Sequence, residues 1–346
     1  MNEHKLSVAS SPHASSPVGT RNLMLDVIIA LIPALVIAIW VFGLRALTMT
    51  LVSVIACEFF EWGYRKLMKK SNSLMDLSAA ITGILIAFVC PVTLPYWTLI
   101  IGDFFGIVIV KQLFGGLGMN FVNPALAARA FLFSYATPMT TWSVPFTPVG
   151  LLSAGEITTG ATPLALMKTG GDAIQNLPSM AEMFIGKIGG CGEVSALMLL
   201  IGGIYLIIRG VIRPRIPIAF IATVAIWAFI FPKAGMGNFD WMMYSILGGG
   251  VFLGAFFMAT DYVTSPNTPR GELIYGIGCG LLTMFIRYFG AYPEGVSYAI
   301  LIMNVCVWLI DTHSKPARFG VSAEDRKAAK LKAKEDKKQA KEVAAS

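Results

Sequence analysis

The run Leu23–Phe42, LMLDVIIALIPALVIAIWVF, decides the fold. Its twenty residues carry one charge, Asp26. At 1.5 Å per residue a helix of that length is about 30 Å long, the thickness of a bilayer's hydrocarbon layer. Similar runs recur at Ala46–Phe60, Leu77–Tyr96, Trp97–Phe114, Val194–Ile208, Ile216–Phe231, Trp241–Ala259, Leu273–Ile286 and Gly295–Ile310. A shorter one, Phe121–Tyr135, crosses only if tilted or shielded by neighbours. The chain is therefore expected to be an all-α polytopic membrane protein of about ten transmembrane helices. The first run has no Ala-x-Ala-like exit and is read as a retained helix, not a cleaved leader.

Composition agrees. Of 346 residues, 55% are hydrophobic and only 14% charged, with a mean hydropathy of +0.68. The formal charge of +7 does not mark a nucleic-acid binder, because the excess is local: residues 314–346 hold ten Lys or Arg against five Asp or Glu. That tail is rich in Ala, Lys and Glu, with Ser322 and Asp325 in capping-box spacing, and reads as a solvated helix near acidic headgroups. Arg65, Lys66, Lys69 and Lys70 follow the second run, Arg209, Arg213 and Arg215 the sixth, and the tail follows the tenth. With ten spans all three clusters fall on one side, which the positive-inside rule makes cytoplasmic together with both termini. The expected organisation is a polar segment 1–22, a first membrane half 23–137, an extracytoplasmic loop 138–193, a second membrane half 194–313 and the basic tail 314–346.

The five cysteines (Cys57, Cys90, Cys191, Cys279, Cys306) form no CxxC pair and read as small core residues. The three histidines lie outside the spans, which excludes a haem held by two membrane-buried histidines, and no metal site is expected. The two halves look faintly alike. TGILIAFVCP at Thr82–Pro91 resembles TVAIWAFIFP at Thr223–Pro232, and NFVNPALAAR at Asn120–Arg129 parallels TDYVTSPNTPR at Thr260–Arg270. Five spans per repeat is an odd number, so such repeats are inverted in the membrane. Pro91 and Pro95 break the third run, and backbone groups freed at membrane depth must be covered by protein or line a cavity.

One loop is out of character: Glu156–Lys168, EITTGATPLALMK. Thr162 as an N-cap with Pro163 as first helical residue is ordinary helix-start grammar. The same geometry would suit a phosphate esterified to Thr162, with Gly160 and Ala161 keeping the approach open. Here the chain resembles a known family. TTGAT at Thr158–Thr162 looks like the motif on which a flavin transferase attaches FMN to threonine in Rnf and sodium-pumping NADH:quinone oxidoreductase complexes. SPH (Ser11–His13), MLDVIIALIPA (Met24–Ala34), NFVNPALAARAF (Asn120–Phe131), FMATDYVTSP (Phe257–Pro266) and YPEGVSYAILIMN (Tyr292–Asn304) resemble the D subunit of the Rnf complex, and less closely the B subunit of the sodium pump. The family motif usually opens with Asp, where this chain has Glu156.

The resemblance implies a flavoprotein relaying electrons between ferredoxin and NAD while sodium ions or protons move outward across the cell membrane. It implies covalent FMN on Thr162, with Thr159, Gly160 and Ala161 in its motif, and non-covalent riboflavin near the cytoplasmic side. Asn120, Asn123, Asp261 and Thr264 are the candidates for gripping the riboflavin, and Arg129 for pairing an acid or contacting a flavin phosphate. Implied partners are the ferredoxin-like iron-sulfur, NADH-binding, flavinylated G-type and membrane subunits of such a complex, besides the flavin transferase and the lipid bilayer. The chain has no NAD fingerprint and no iron-sulfur cysteine spacing, so it is incomplete as an enzyme alone. Asp103, mid-run in IIGDFFGIVIV, and Asp26 are ion-path candidates, with Glu58 and Glu61 weaker ones. Lys111 can snorkel. A small-solute channel built on inverted repeats is the alternative from another class.

Overall fold

A computed structural model describes residues 19–71, 73–134, 139–146, 160–186, 195–233, 235–290 and 292–314. The segment 1–18, Thr159, Glu156, Cys191 and the tail beyond Ser314 lie outside the described residues. The regular structure described is helical. In chain order it comprises α1 (Thr20–Phe42), α2 (Leu44–Leu67), α3 (Ser78–Val89), α4 (Tyr96–Phe104), α5 (Pro124–Leu132), α6 (Pro163–Thr169), α7 (Met180–Ile185), α8 (Ala196–Ile208), α9 (Arg215–Ile230), α10 (Asn238–Leu247), α11 (Val251–Leu253), α12 (Pro269–Phe289) and α13 (Val296–His313). Wider π turns carry α4 on through Phe105–Gln112 and α11 on through Gly254–Met258.

Among the described residues three helices, α1, α12 and α13, are each long and apolar enough to cross a membrane, and a fourth span is formed if α10 and the Val251–Met258 segment, bent by 59°, count as one. The chain is thus a multi-pass membrane protein, with the apolar side chains of Ile32, Val36, Ile55, Ile226, Phe285 and Trp308 facing outward from the bundle. Several apolar runs yield helices shorter than the run. The third becomes the twelve residues of α3, because Pro91 and Pro95 close it, and the sixth becomes the thirteen of α8, about 20 Å long.

Gly43, at φ +73, turns the chain between α1 and α2 in one residue, a conformation that favours glycine. The turn brings Arg45 into the bundle, where it is 2% exposed. Its Nε and Nη2 donate to the carbonyls of Val92 at 3.3 Å and Leu94 at 3.1 Å, and its guanidinium lies 4.3 Å from the Tyr96 ring centroid. This is how the backbone freed between Val89 and Tyr96 is covered. The second half repeats the device: Arg287 of α12 donates to the carbonyls of Ser245 at 2.6 Å and Gly248 at 3.1 Å, at the bend between α10 and α11. A buried carbonyl without a donor costs about 1–3 kcal/mol, so each arginine makes a broken helix tolerable inside the membrane.

The two junctions also share a grammar. Each follows a π turn and ends in a side-chain cap with proline in the first helical turn. Asn123 Oδ1 accepts from the N–H groups of Ala125 and Leu126 at the start of α5, and Thr268 Oγ1 accepts from that of Gly271 at the start of α12. Lengthwise, α1 sets the two ends of the molecule. Leu23, Met24 and Val27 near its start line an inner cavity, while the carbonyl of Val41 near its end accepts from the N–H of Phe146 in the loop that leads to Thr162.

Candidate functional site

Two cavities hold seven of the candidate residues: Asn120, Asn123 and Asp261 line one, and Arg129, Gly160, Ala161 and Thr162 the other. The inner one is lined by residues of α1, α3, α5 and α8 and of the Gly254–Met258 turn, so both halves of the chain contribute to it. Its walls are mostly apolar, and its polar residues are Lys111, Asn120, Asn123 and Asp261, with Ser78, Thr82, Thr260 and Tyr262. Asn123 Nδ2 donates to the carbonyl of Met258 at 3.2 Å, so the α5 cap also ties the two junctions together. Thr264 lies behind the cavity and donates to Asp261 Oδ2 at 3.2 Å. Burial pushes the Asp261 carboxyl above the usual carboxylate range, while bonds from the Val263 backbone, Thr264 and Asn120 pull the other way.

Lys111 does not snorkel. It is 3% exposed, its Nζ lying 2.7 Å from Glu61 Oε2 and donating to Ser78 Oγ at 2.8 Å. Glu61 in turn accepts from Ser73 Oγ at 2.5 Å. An ammonium has three N–H donors, and two are engaged here while the side chain borders the cavity. A buried cation is tolerated because Glu61, fifty residues away in sequence, neutralises it.

The outer cavity, about 220 Å³, is lined by Thr162, Gly160 and Ala161 together with Arg129 and the rings of Phe133, Trp142, Tyr292 and Tyr298. Arg129, 3% exposed, pairs with Glu294 and donates to Ser297 Oγ at 3.0 Å, and lies 5.6 Å from the Phe133 ring centroid. The expected pairing of Arg129 with an acid is present. The structure separates it from Asn120, Asn123, Asp261 and Thr264, with which the junction motif grouped it, and sets it beside Thr162. Thr162 caps α6, its Oγ1 accepting from the Ala165 N–H at 3.4 Å. A second cavity, bordered by Trp142, Phe146 and Glu182, opens on the other side of Thr162.

An ester on Thr162 is compatible with this geometry. The cap uses a lone pair of the hydroxyl oxygen, and esterification replaces only its proton. Gly160 donates its N–H to the carbonyl of Trp142 at 3.0 Å, and a Cβ there would sit 3.0 Å from Val144 Cγ2. The chemistry of the inner cavity suits a flat ring with polar edges, since its lining combines an ammonium donor, two amides and a carboxyl with mostly apolar side chains.

The two ion-path candidates differ. Asp26 accepts from Tyr205 Oη at 2.8 Å and from Arg209 Nη2 at 3.1 Å, joining α1 to α8 at the inner end. Asp103 is fully buried and far less well provided, with one carboxyl oxygen 2.7 Å from Ser53 Oγ. Sequence reasoning missed Arg45, Arg287 and Ser53. Arg45 had a signal, a cation at the foot of an apolar run, whereas Ser53 had none.

The family model described as NQR2, RnfD, RnfE matches residues 7–320. The chain is 47% identical over 325 residues to the D subunit of the Na+-translocating ferredoxin:NAD+ oxidoreductase complex of Acetobacterium woodii, covering 93% of this chain and 98% of that one. It is 38% identical over 330 residues to the D subunit of the proton-translocating ferredoxin:NAD+ oxidoreductase complex of Clostridium ljungdahlii, covering 90% and 96%. The D subunit of the ion-translocating oxidoreductase complex of Shewanella frigidimarina is 35% identical over 343 residues, covering 90% and 97%.

Proposed function

The chain belongs to the NQR2, RnfD, RnfE family, and on that premise we propose that it is the D subunit of an ion-translocating ferredoxin:NAD+ oxidoreductase, relaying electrons between two flavin sites at opposite ends of α5. The observation that carries this is the placement of α5. Asn123 at its start borders the inner cavity, and Arg129, six residues on, borders the outer one beside Thr162, a rise of about 9 Å. A short rigid helix bordering both cavities sets a fixed and small separation between them.

In this reading FMN is esterified to Thr162 and riboflavin lies in the inner cavity; each flavin supplies one- and two-electron redox chemistry. The protein's own groups do the rest. Asn120, Asn123 and Asp261, backed by Thr264, hold the polar edge of the inner ligand, and Lys111 offers its third N–H. Arg129, anchored by Glu294, presents positive charge where an ester phosphate or a reduced ring carries negative charge. The aromatic walls of the outer cavity exclude water and offer stacking surfaces. A covalent link keeps a flavin on an outer face, where one held by affinity alone is lost by dilution.

About ten spans in two inverted halves suit the shared junction grammar and the paired arginine devices. Arg209 bonds to Asp26 near the start of α1, and with Arg65, Arg213 and Arg215 it supplies the cationic residues that the positive-inside rule assigns to the cytoplasmic face; this supports both termini there and an extracytoplasmic Thr162 loop. Iron-sulfur, NADH-binding, flavinylated G-type and membrane subunits of the same complex are the partners, and a flavin transferase modifies Thr162. The relatives' names divide between sodium ion and proton, and they favour an oxidoreductase subunit over a channel.

The test is in-gel fluorescence of the denatured protein coexpressed with a flavin transferase, followed by peptide mass mapping. Fluorescence mapping to Thr162 is expected. A dark band, with the transferase active on a control substrate, overturns the reading of the loop.

A further inference from the structure

Ser53, in the middle of α2, has one hydroxyl proton and two acceptors competing for it. Its Oγ lies 2.8 Å from the carbonyl oxygen of Gly83 on α3 and 2.7 Å from Oδ1 of Asp103 on α4. A hydroxyl donates one hydrogen bond and accepts two. Two contacts of that length to acceptor oxygens therefore require a second proton, and the carboxyl is the group able to carry it. With Asp103 protonated the chain is complete: its carboxyl donates to Ser53 Oγ, whose O–H donates to the Gly83 carbonyl. With Asp103 ionised, one of the two short contacts is between lone pairs.

The surroundings favour the protonated form. Ser53 and Asp103 are both 0% exposed, and Asp103 Oδ2 makes no hydrogen bond. An ionised carboxylate has about four acceptor positions and would here have one hydroxyl and one weakly donating thiol to serve them. A buried charge so poorly solvated is strongly disfavoured. The groups facing it are few. From α2 the Cys57 thiol, a weak donor, lies against the carboxyl. From α3 comes Gly83, where a Cβ would stand 2.9 Å from Ser53 backbone atoms, so the close approach depends on glycine. Beside Asp103 on α4, Gly102 is packed by the apolar Leu132 of α5. The Lys111–Glu61 pair lies eight residues further along both helices, about 12 Å towards the inner cavity.

We propose that Asp103 is a proton-holding site, with Ser53 as the hydroxyl rotor that accompanies loading and release. On release the carboxyl O–H bond breaks and its electron pair stays on the carboxylate. The proton passes to water at the inner-cavity end of the α2 face that carries Ser53, Cys57 and Glu61. The Ser53 O–H then turns from the Gly83 carbonyl to the carboxylate. On loading the sequence reverses. The site gives the first membrane half a place to take up one proton at depth, and it does not depend on the flavin reading.

The test is infrared difference spectroscopy of the assembled complex in lipid. Asp103→Asn is the reference variant, because an amide N–H replaces the carboxyl O–H towards Ser53 and the packing is kept. The wild type is expected to show the carbonyl band of a protonated carboxyl at neutral pH, absent in Asp103→Asn and diminished as pH is raised or as the complex turns over. Ser53→Ala, which removes the acceptor, should move the band to higher wavenumber, and it decides the matter if the Asn variant fails to assemble. No band assignable to Asp103 overturns the proposal, as does a band unmoved by pH and turnover. A band abolished by sodium at constant pH would make the group a sodium ligand and equally overturn it.

Discussion

The two cavities at the ends of α5 are built from opposite materials. The inner one is an apolar cavity whose lining includes an ammonium, two amides and a carboxyl, drawn from both halves of the chain. The outer one is a box of aromatic rings around a single ion pair, with a threonine hydroxyl at its wall. The contrast suits two ways of keeping a ligand. A slot that must hold its ligand without a bond needs several polar contacts at fixed positions, whereas a box whose ligand is tethered needs only shape, stacking and one charge.

The comparison can be broken most sharply at the tether. Thr162→Ala should abolish all covalent flavin while the protein still inserts and the acid-extractable flavin of the inner cavity stays, as read by in-gel fluorescence and by flavin analysis of the acid supernatant. Next comes the charge of the outer box. Arg129→Met leaves the mostly buried Glu294 carboxylate without its cation, and the expected loss of stability is about 3–5 kcal/mol by denaturation of the purified protein, most of it recovered in Arg129→Met/Glu294→Gln.

The inner slot should respond separately. Asp261→Ala is expected to weaken retention of the extractable flavin by about 1.5–3 kcal/mol, measured by equilibrium dialysis, and to leave the covalent signal unchanged. If the covalent signal falls with it, the two sites are not independent. The smallest effect is at Gly160→Ala, where the new Cβ meets a movable valine methyl and costs about 1 kcal/mol, visible as slower flavin attachment and not as its loss.

Much of this was legible in the sequence, for definable reasons. The α1 run translates directly into Thr20–Phe42, because twenty apolar residues in water-poor surroundings have helix as the structure that satisfies their backbone. The break after α3 is written in Pro91 and Pro95, and the start of α5 in Asn123–Pro124. Long-range pairing is what the sequence withholds. Lys111 looks like a residue that reaches for the membrane surface until Glu61 is placed 2.7 Å away. Asn120–Arg129 reads as one motif, yet its two ends face different cavities, because six residues of helix turn and climb far enough to do so. Arg45 and Ser53 owe their roles to atoms on other helices, which no local pattern encodes.

The most direct measurement of the central claim is the density map of the assembled complex with its flavins bound. The account expects two isoalloxazine rings separated by α5: one in the slot with its polar edge towards Lys111 and Asp261, the other joined through phosphate to Thr162 and lying in the box against Arg129. A single flavin, or a Thr162-linked ring lying instead in the neighbouring cavity beside Phe146 and Glu182, would contradict it.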